Sequence, residues 1–391
     1  MSVNFLRKNG IFSYICGELM RSAMLKRFAV TNYRGFKNRI EWDLAHPSNY
    51  EFNKEAVVDG IIKNGIIYGP NGAGKSNLSL ALFDIEYHLS QKFKSIDYYE
   101  NYVYAGAMGS PVLFEYSLLL DGDVVDYFYS KNSRGQLIDE KLIVNGKSVF
   151  CKEGHSFEIS DEFPIEETRK EGIRENVNHL SIVNFLLTSY PLAKNHYLIK
   201  LQHWCNNILW FRSLKQNEFI GLNTGPAVME EYIIENNLVQ DFSNFINTVS
   251  GQTFSFVPPK KGDKQLMYRI NNVAVRFGDK FISTGTQSLL LLYYWYKILA
   301  GSEARFVFID EFDAFYHFEL AYEVCKRLFE LKCQVFLSSH NTYLMSNELL
   351  RPDCNFILNH NKIKPLCDCT EKEIRWGNNV EKLYRGGAFS I

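Results

Sequence analysis

The chain shows two kinds of hydrophobic pattern in different regions. Apolar and polar positions alternate over residues 25–44, which predicts two strands joined by a turn at 33–36. Further runs with strand character follow at 112–120, 124–129 and 142–147, separated by short turns. We interpret the β-rich region 110–155 as an antiparallel subdomain. We expect the core sheet to begin at residues 25–44.

The second pattern is typical of a parallel α/β sheet. An apolar run at 61–68 leads through a glycine-rich loop into helical periodicity at 77–93. Strands and helices alternate again after residue 260, as they do where crossover helices connect parallel strands. These later elements are strands within 266–277, a helix at 287–300, a strand at 305–310, a helix reaching residue 331 and a strand at 334–338.

The region between these two parts, 165–250, is mostly helical. Helices are predicted at 197–211 and 229–249, and no heptad pattern is sustained over several repeats. A long coiled-coil arm is therefore not expected. The predicted segments are an N-terminal extension at 1–23, a first lobe with the glycine-rich loop and the antiparallel subdomain at 24–155, a mostly helical insertion at 156–264 and a second lobe at 265–391.

Composition narrows the classes of function. The chain has 391 residues, of which 46% are hydrophobic, so it can bury a full core. Its net charge is -1, so nucleic-acid binding is possible but would need a local basic patch, and the short clusters at 260–264 and 362–364 are interpreted as solvated faces. No run reaches the ~20 apolar residues of a membrane span, which predicts a protein without a membrane segment.

The eight cysteines show no paired CxxC spacing, which favours reduced thiols and a cytoplasmic location. His360, Cys367 and Cys369 could be interpreted as a metal cluster, but ordinary thiols are the favoured interpretation because a fourth spaced ligand is not found.

The strongest chemical signal is the pattern G-x-x-x-x-G-K-S at residues 69–76. It lies between a predicted strand and a predicted helix, which is the context that a phosphate-binding loop requires. Backbone N–H groups of such a loop hold phosphate oxygens, while Lys75 would reach the β and γ phosphates and Ser76 would bind Mg²⁺. The predicted nucleotide-binding residues of this segment are Gly69, Pro70, Asn71, Gly72, Ala73, Gly74, Lys75, Ser76 and Asn77. The pattern predicts binding of ATP with Mg²⁺.

Two later strand ends carry candidate catalytic groups. The apolar run 305–309 delivers Asp310, which would hold Mg²⁺ or its water, and Glu311, which would act as general base. His340 follows a second apolar strand and could hydrogen-bond the γ-phosphate. Each of these patterns alone also fits a structural strand end, and the upstream loop favours the catalytic interpretation.

A further segment opens the helix that precedes the carboxylate strand. Its sequence is Ser-Thr-Gly-Thr-Gln at 283–287. Hydroxyl groups and glycine at a helix N-terminus bind anions well, but the same residues also form ordinary helix caps. Spacing alone does not decide between these two interpretations.

Taken in order, the segments GPNGAGKS, STGTQ, FVFIDE and SSH resemble the ATP-binding-cassette (ABC) class of ATPases in its SMC, RecF and OLD-like branch. Asn71 within the loop and the opening segment 30–36 are typical of that branch. Within it, the chain is most similar to stand-alone AAA-type ATPases of the abortive-infection or ATP/GTP-phosphatase type, which end on a Tyr-x-x-Gly segment comparable with 384–387. The resemblance covers 24–95 and 265–391. It implies an α/β fold, a P-loop NTPase of the ABC-type ATPase head.

The resemblance also implies how the segments are used. Heads of this class dimerise with ATP between them, so Ser283, Gly285 and Thr286 of one subunit would contact the γ-phosphate held by Lys75 of the other. Arg34 matches an arginine that approaches the nucleotide in relatives. His317 matches a histidine that is common in this branch, without an assigned role. The segment 283–287 departs from the Leu-Ser-Gly-Gly-Gln of transporters, and the glutamine that senses Mg²⁺ is not located.

Three functions remain open from the sequence. The first is an ATP-driven conformational switch, a homodimer or higher oligomer acting in anti-phage defence with a partner effector, since only 51 residues follow His340 and no nuclease domain is expected there. The second is a RecF-like ATPase of DNA repair or recombination, which would need a basic stripe. The third is a non-hydrolysing nucleotide-binding scaffold, against which Glu311 argues.

Overall fold

Strands organised in two separate large sheets dominate the fold. A computed structural model describes residues 23–90, 99–175, 180–212, 219–222, 229–277 and 282–390. The chain divides into two units. The first unit comprises Met1–His46, Val58–Ile61 and Tyr87–Cys205, and the second comprises Pro47–Val57, Ile62–Glu86 and Asn206–Ile391. Residues 1–22 of the extension predicted at 1–23 lie outside the described residues, and Ala23 begins β1.

The strands of the described chain are β1 (Ala23–Thr31), β2 (Ile40–Asp43), β3 (Val57–Val58), β4 (Ile61–Ile62), β5 (Asn64–Tyr68), β6 (Val112–Leu120), β7 (Asp123–Lys131), β8 (Leu137–Val144), β9 (Lys147–Glu153), β10 (Ser156–Ile159), β11 (Ile208–Arg212), β12 (Phe219–Gly221), β13 (Met267–Ile270), β14 (Val273–Arg276), β15 (Phe306–Asp310), β16 (Gln334–Ser338), β17 (Asn355–Asn359) and β18 (Lys362–Pro365).

The helices of the described chain are α1 (Lys75–Leu82), α2 (Asp84–Ser90), α3 (Glu167–Arg174), α4 (Ile182–Ser189), α5 (Tyr197–Asn206), α6 (Met229–Glu235), α7 (Val239–Ser250), α8 (Thr284–Gly301), α9 (Phe318–Phe329) and α10 (Val380–Arg385). Short 3₁₀ turns lie at Lys54–Ala56, Ala105–Ala107, Thr342–Leu344, Pro352–Cys354 and Leu366–Cys369. Within the described residues, every helix falls short of the length and apolar character needed to cross a membrane.

The first unit is built on an antiparallel sheet of seven strands. Their order is β10-β9-β8-β7-β6-β1-β2, and all neighbouring pairs are antiparallel. The hairpin between β8 and β9 turns at Asn145 and Gly146, whose φ angles of 51° and 76° suit the tight turns that match strand twist. The predicted antiparallel subdomain is therefore confirmed. The expectation that the core sheet begins at residues 25–44 is wrong for the parallel sheet of the second unit, because β1 pairs with β6 in this antiparallel sheet.

The second unit is built on a mostly parallel sheet, with order β12-β11-β15-β16-β5-β17-β18. The five strands from β11 to β17 run parallel, and antiparallel β12 and β18 lie at the two edges. Every residue of β5, β15 and β16 is buried, as expected for strands covered on both faces. The predicted α/β fold class is confirmed.

Three predicted helices differ from the observed elements. The helix predicted at 77–93 is two helices, α1 and α2, which are interrupted at Phe83, and residues 91–98 lie outside the described chain. The helix predicted at 229–249 also breaks, at Asn237, where φ is 57°. The third, predicted at 197–211, ends at Asn206, and its last part is the buried parallel strand β11.

Candidate functional site

The glycine-rich loop connects β5 to α1 at the carboxyl end of the parallel sheet in the second unit. Gly72 and Gly74 have φ angles of 77° and 102°, in the left-handed region that glycine adopts without strain. Gly69 is required for a different reason, because a Cβ atom there would lie 2.3 Å from the carbonyl oxygen of Leu358 on β17. The predicted strand, loop and helix are thus present, and α1 begins at Lys75.

Lys75 is the buried cation of this loop. Its Nζ donates to the carbonyl oxygen of Gly69 at 2.8 Å and lies 3.0 Å from Nε2 of His340. Burial lowers the pKa of the Lys75 ammonium, while the carboxylates of Asp310, Glu311 and Asp313 act in the opposite direction. The loop and the end of β16, separated by 265 residues in sequence, therefore meet at this side chain.

Asp310 is the last residue of β15 and is fully buried. The hydroxyl of Ser338, at the end of the neighbouring strand β16, donates to its Oδ1 at 2.7 Å. Arg212, at the end of β11 on the other side, donates to its Oδ2 from Nη2 at 2.8 Å and from Nε at 3.0 Å. The hydrogen bonds from both neighbouring strands fix the orientation of this carboxylate.

Glu311 begins the turn that follows β15. Its φ angle of 50° is left-handed, which costs roughly 1–2 kcal/mol for a residue with a Cβ atom. The backbone N–H of Glu311 donates to the Oγ of Ser338 at 2.8 Å, and the same hydroxyl then donates to Asp310. Ser338 therefore connects the two adjacent carboxylate residues and holds the backbone of Glu311 at the start of the strained turn.

The segment after Ser338 is arranged around Asp313. The hydroxyl of Ser339 donates to Oδ2 of Asp313 at 2.6 Å and accepts the backbone N–H of Asn341 at 2.8 Å. Burial raises the pKa of the Asp313 carboxyl, against the opposing effect of the Ser339 hydrogen bond. Burial also lowers the pKa of His340, and the charge of Lys75 lowers it further. The neutral His340 ring can thus accept a hydrogen bond from the Lys75 ammonium.

A cavity of about 420 Å³ in the second unit is lined by Glu311, Asp313 and His340 of this site. Its wall is formed by one residue of the glycine-rich loop, by residues between β15 and the start of α9, and by the two residues 340 and 341 after β16. The lining residues are Asn71, Glu311, Asp313, Ala314, Tyr316, Phe318, His340 and Asn341.

The segment 283–287 starts α8 and packs on the turn after Glu311. The Oγ of Ser283 accepts the backbone N–H of Thr286 at 3.2 Å, which is the geometry of a helix N-cap. Gly285 is close-packed, since a Cβ atom there would lie 2.8 Å from the carbonyl oxygen of Phe315. One turn further, the hydroxyls of Ser288 and Tyr316 lie 2.8 Å apart.

The remaining predicted residues fall into four places. Pro70 and Ala73 belong to the loop, and Ser76 and Asn77 belong to the first turn of α1. His317, which had no assigned role, caps α9 by accepting the backbone N–H of Leu320 at 3.2 Å. Arg34 belongs to the first unit, where its backbone N–H donates to the carbonyl oxygen of Tyr102, so its approach to a nucleotide stays a prediction.

The sequence patterns did not identify Arg212, Asp313 or the hydroxyl of Ser338 as members of this site. Arg212 follows the apolar run 208–211, which has the same form as the run before Asp310, but helical periodicity obscured it. Asp313 had no distinguishing pattern of its own.

The parallel sheet, the glycine-rich loop after β5 and the carboxylate at the end of β15 define a P-loop NTPase of the ATPase type. The chain belongs to the family described as "AAA domain, putative AbiEii toxin, Type IV TA system", whose model matches residues 66–346. This membership confirms the predicted relation to AAA-type ATPases.

Solved structures with a similar fold include SMC heads and RecF. One is an SMC head bound to the C-winged helix domain of ScpA, with 12% identity over 87% of this chain and 96% of that chain, and a TM-score of 0.46. Another is the SMC head domain from Thermotoga maritima, with 14% identity over 87% and 97% and a TM-score of 0.41. A third is RecF with ATP, with 15% identity over 89% and 98% and a TM-score of 0.37. No curated protein matches the chain.

Proposed function

We propose that the chain binds ATP with Mg²⁺ at residues 69–76 and hydrolyses it. The observation that carries this proposal is the 3.0 Å contact between Lys75 Nζ and His340 Nε2, beside the strand that ends at Asp310. Phosphoryl transfer uses a cation, backbone N–H groups that hold the phosphates, and a carboxylate. Lys75, the glycine-rich loop and Glu311 supply these groups at the carboxyl end of the parallel sheet.

The residues present fit both the nucleotide and the metal. The left-handed glycines allow successive N–H groups of the loop to converge on an anion, and the N-terminus of α1 adds a favourable dipole. Ser76 and Asp310 supply the oxygen ligands that Mg²⁺ prefers. When bound, Mg²⁺ would neutralise charge on the β and γ phosphates.

Each protein group then has a defined task. Lys75 would exchange the carbonyl oxygen of Gly69 for phosphate oxygens. Glu311 would orient a water molecule and accept its proton as general base. His340, with its neutral ring favoured by burial and by Lys75, would hydrogen-bond the γ-phosphate.

We further propose that the complete site forms between two copies of the chain. At the start of α8, Ser283, Gly285 and Thr286 would contact the γ-phosphate bound to the partner copy. ATP binding would therefore drive association of the two copies, and hydrolysis would let them dissociate. The bond between Ser288 and Tyr316 supports this model, because it links α8 to the turn that carries Glu311.

The biological role that we propose is an ATP-dependent switch in the cytoplasm that controls a partner effector in anti-phage defence. The family description, which names a toxin and a type IV toxin–antitoxin system, supports this role. Such a partner would respond to the associated and dissociated states of the chain.

The test compares the wild type with Glu311→Gln. We expect the wild type to release phosphate from ATP in the presence of Mg²⁺. The variant should retain ATP binding but lose hydrolysis at least about a hundredfold, because general-base catalysis contributes about 10²–10⁴ in rate. Mass photometry with and without ATP should show a larger species that persists only in the variant.

Glu319→Gln is a matched control, since Glu319 is an exposed glutamate on α9 whose side chain faces His317. It should hydrolyse ATP at the wild-type rate. A wild type without hydrolysis, together with a Glu311→Gln variant that forms no ATP-dependent assembly, would contradict the proposal.

A further inference from the structure

Arg212, which lies outside the predicted motifs, forms an ion pair with Asp310. In the parallel register, Arg212 on β11 stands directly opposite Asp310 on β15. Two N–H groups of Arg212 converge on one oxygen of Asp310, whose side chain has no exposed surface. Both hydrogen bonds are charge-assisted, which makes them stronger than hydrogen bonds between neutral groups.

The position of Arg212 is held by the sheet and by α1. Trp210 is two residues earlier on β11 and therefore projects from the same face of the strand. It is buried, and its indole N–H donates to the hydroxyl of Ser79 on α1 at 3.0 Å. The Arg212 guanidinium lies 5.5 Å from the Trp210 ring centroid. The helix that begins at Lys75 thus packs against the strand that delivers Arg212.

The hydrogen bonds that the described residues make to Asp310 leave it one acceptor position. A carboxylate offers about four lone-pair sites, two on each oxygen. Arg212 takes both positions on Oδ2, and Ser338 takes one on Oδ1. The remaining position is on Oδ1.

We propose that Arg212 is a positioning residue that restricts Asp310 to this single acceptor and offsets its charge, so that Mg²⁺ binds firmly only when it arrives with a nucleotide. This inference deepens the proposed ATPase function and rests on it. The negative charge of Asp310 is already balanced by Arg212. A divalent cation would therefore need the additional negative charge of the phosphates to bind firmly. The protein would thereby favour the metal–nucleotide complex over the free cation.

The proposal predicts a gain of cation affinity when Arg212 is removed. Arg212→Met keeps much of the side-chain volume and frees both the charge and Oδ2 of Asp310. Removal of a positive charge in direct contact with the carboxylate favours cation binding there, so we expect an increase of at least about tenfold in affinity. Arg212→Lys, which keeps the charge but cannot donate as a fork, should give a smaller increase.

The experiment measures Mn²⁺ binding by electron paramagnetic resonance in the full chain without nucleotide. Arg212→Met should bind Mn²⁺ at least tenfold more tightly than the wild type, and Asp310→Asn in the same background should abolish the gain. The control is Arg351→Met. It breaks another buried arginine–aspartate pair of the second unit, in which Arg351 Nη2 lies 2.6 Å from Asp353, and it should leave Mn²⁺ affinity unchanged while lowering stability.

A second readout uses a fluorescent ATP analogue in the Glu311→Gln background. The Mg²⁺ concentration at half-saturation should fall in Arg212→Met. Circular dichroism checks that the variants are folded. If Arg212→Met does not fold, the Mn²⁺ affinity of Arg212→Lys is compared with the wild type instead.

Unchanged or weaker Mn²⁺ binding in a folded Arg212 variant would overturn the inference, because loss of the arginine charge and of its two hydrogen bonds would then not have made Asp310 a better cation ligand. If no protein binds the ATP analogue but the Mn²⁺ gain is present, the proposed ATPase function and the selection of the metal–nucleotide complex both fail, and only the effect of Arg212 on the cation affinity of Asp310 stands.

Discussion

Replacement of Gly69 by alanine tests how the glycine-rich loop is held in place. The added Cβ atom would lie 2.3 Å from the carbonyl oxygen of Leu358, 3.3 Å from the Cβ of Ala73 and against no flexible side-chain end that could yield. Leu358 belongs to β17, which pairs with strands on both sides and cannot retreat easily. The loop must therefore move by roughly 1 Å, and overpacking of this kind costs about 1–3 kcal/mol.

The consequences should appear in both stability and nucleotide binding. The midpoint of urea unfolding should fall by an amount that corresponds to 1–3 kcal/mol, roughly a fifth of the stability of a domain. Affinity for a fluorescent ATP analogue should fall at least about tenfold, because a shift of this size takes N–H groups out of the 2.7–3.2 Å range of a hydrogen bond.

Gly377→Ala is the matched control. Gly377 belongs to the same unit, is exposed, and would place its Cβ atom in open space. Its unfolding midpoint should stay within about 0.5 kcal/mol of the wild type. If Gly69→Ala matches this control in both stability and nucleotide affinity, the proposed contact between the loop and β17 does not constrain the loop.

Two further predictions concern the packing and electrostatics around the loop. The pKa of His340, followed by NMR titration, should lie below its ordinary value of about 6.5 and should rise towards that value in Lys75→Met, because a neighbouring positive charge is removed. Since the folded-state pKa is lowered, protonation of His340 opposes the native state, so its contribution to stability is present above about pH 6.5 and lost as the pH falls below it. An unchanged His340 pKa in Lys75→Met would contradict the observed contact. Trp210→Phe should lose about 1–3 kcal/mol of unfolding free energy, since it removes buried volume and the hydrogen bond to Ser79, whereas the half-exposed Trp376 can be changed to phenylalanine almost without cost. Equal unfolding midpoints for the two tryptophan variants would refute this assignment.

Much of the second unit could be predicted because its strands are short apolar runs with a chemical group at their ends. The run that ends at Asp310 and the run before Ser338 have this form, and both strands were predicted close to their observed bounds. The glycine-rich loop was equally readable, since left-handed glycines and a following lysine leave a fixed spacing in the sequence.

Other features depend on tertiary contacts that no local pattern records. β11 has the apolar character of a buried strand, but α5 precedes it with only Asn207 between, so the two together resemble one helix. The break after α1 is similar, because Phe83 ends the helix and packs against Phe306 on β15. Apolar and polar residues alternate in the segment that forms β1, as in any half-buried strand. Only its pairing with β6 shows to which sheet it belongs.

The roles within the site show the same limit. Ser338 was part of a recognised segment, yet its importance lies in a hydrogen bond to Asp310 from a different strand. Arg212 is separated from Asp310 by 98 residues, and the register of two parallel strands brings them together. Sequence spacing identifies functional side chains on a single strand or loop. The pairing of charged side chains on different strands becomes visible only when the order and register of the strands in the sheet are known.

We propose that two copies of the chain complete one ATP site, and mixing two inactive variants distinguishes this arrangement from a site within one copy. Lys75→Met should inactivate the nucleotide-binding side of the site, and Ser283→Arg should inactivate the side supplied by α8. Each variant alone is expected to show no ATP hydrolysis. A mixture should regain phosphate release, because a mixed dimer contains one site with both intact halves. If the mixture remains as inactive as its components while both variants are folded and associate, the site does not form between two copies and the account is wrong.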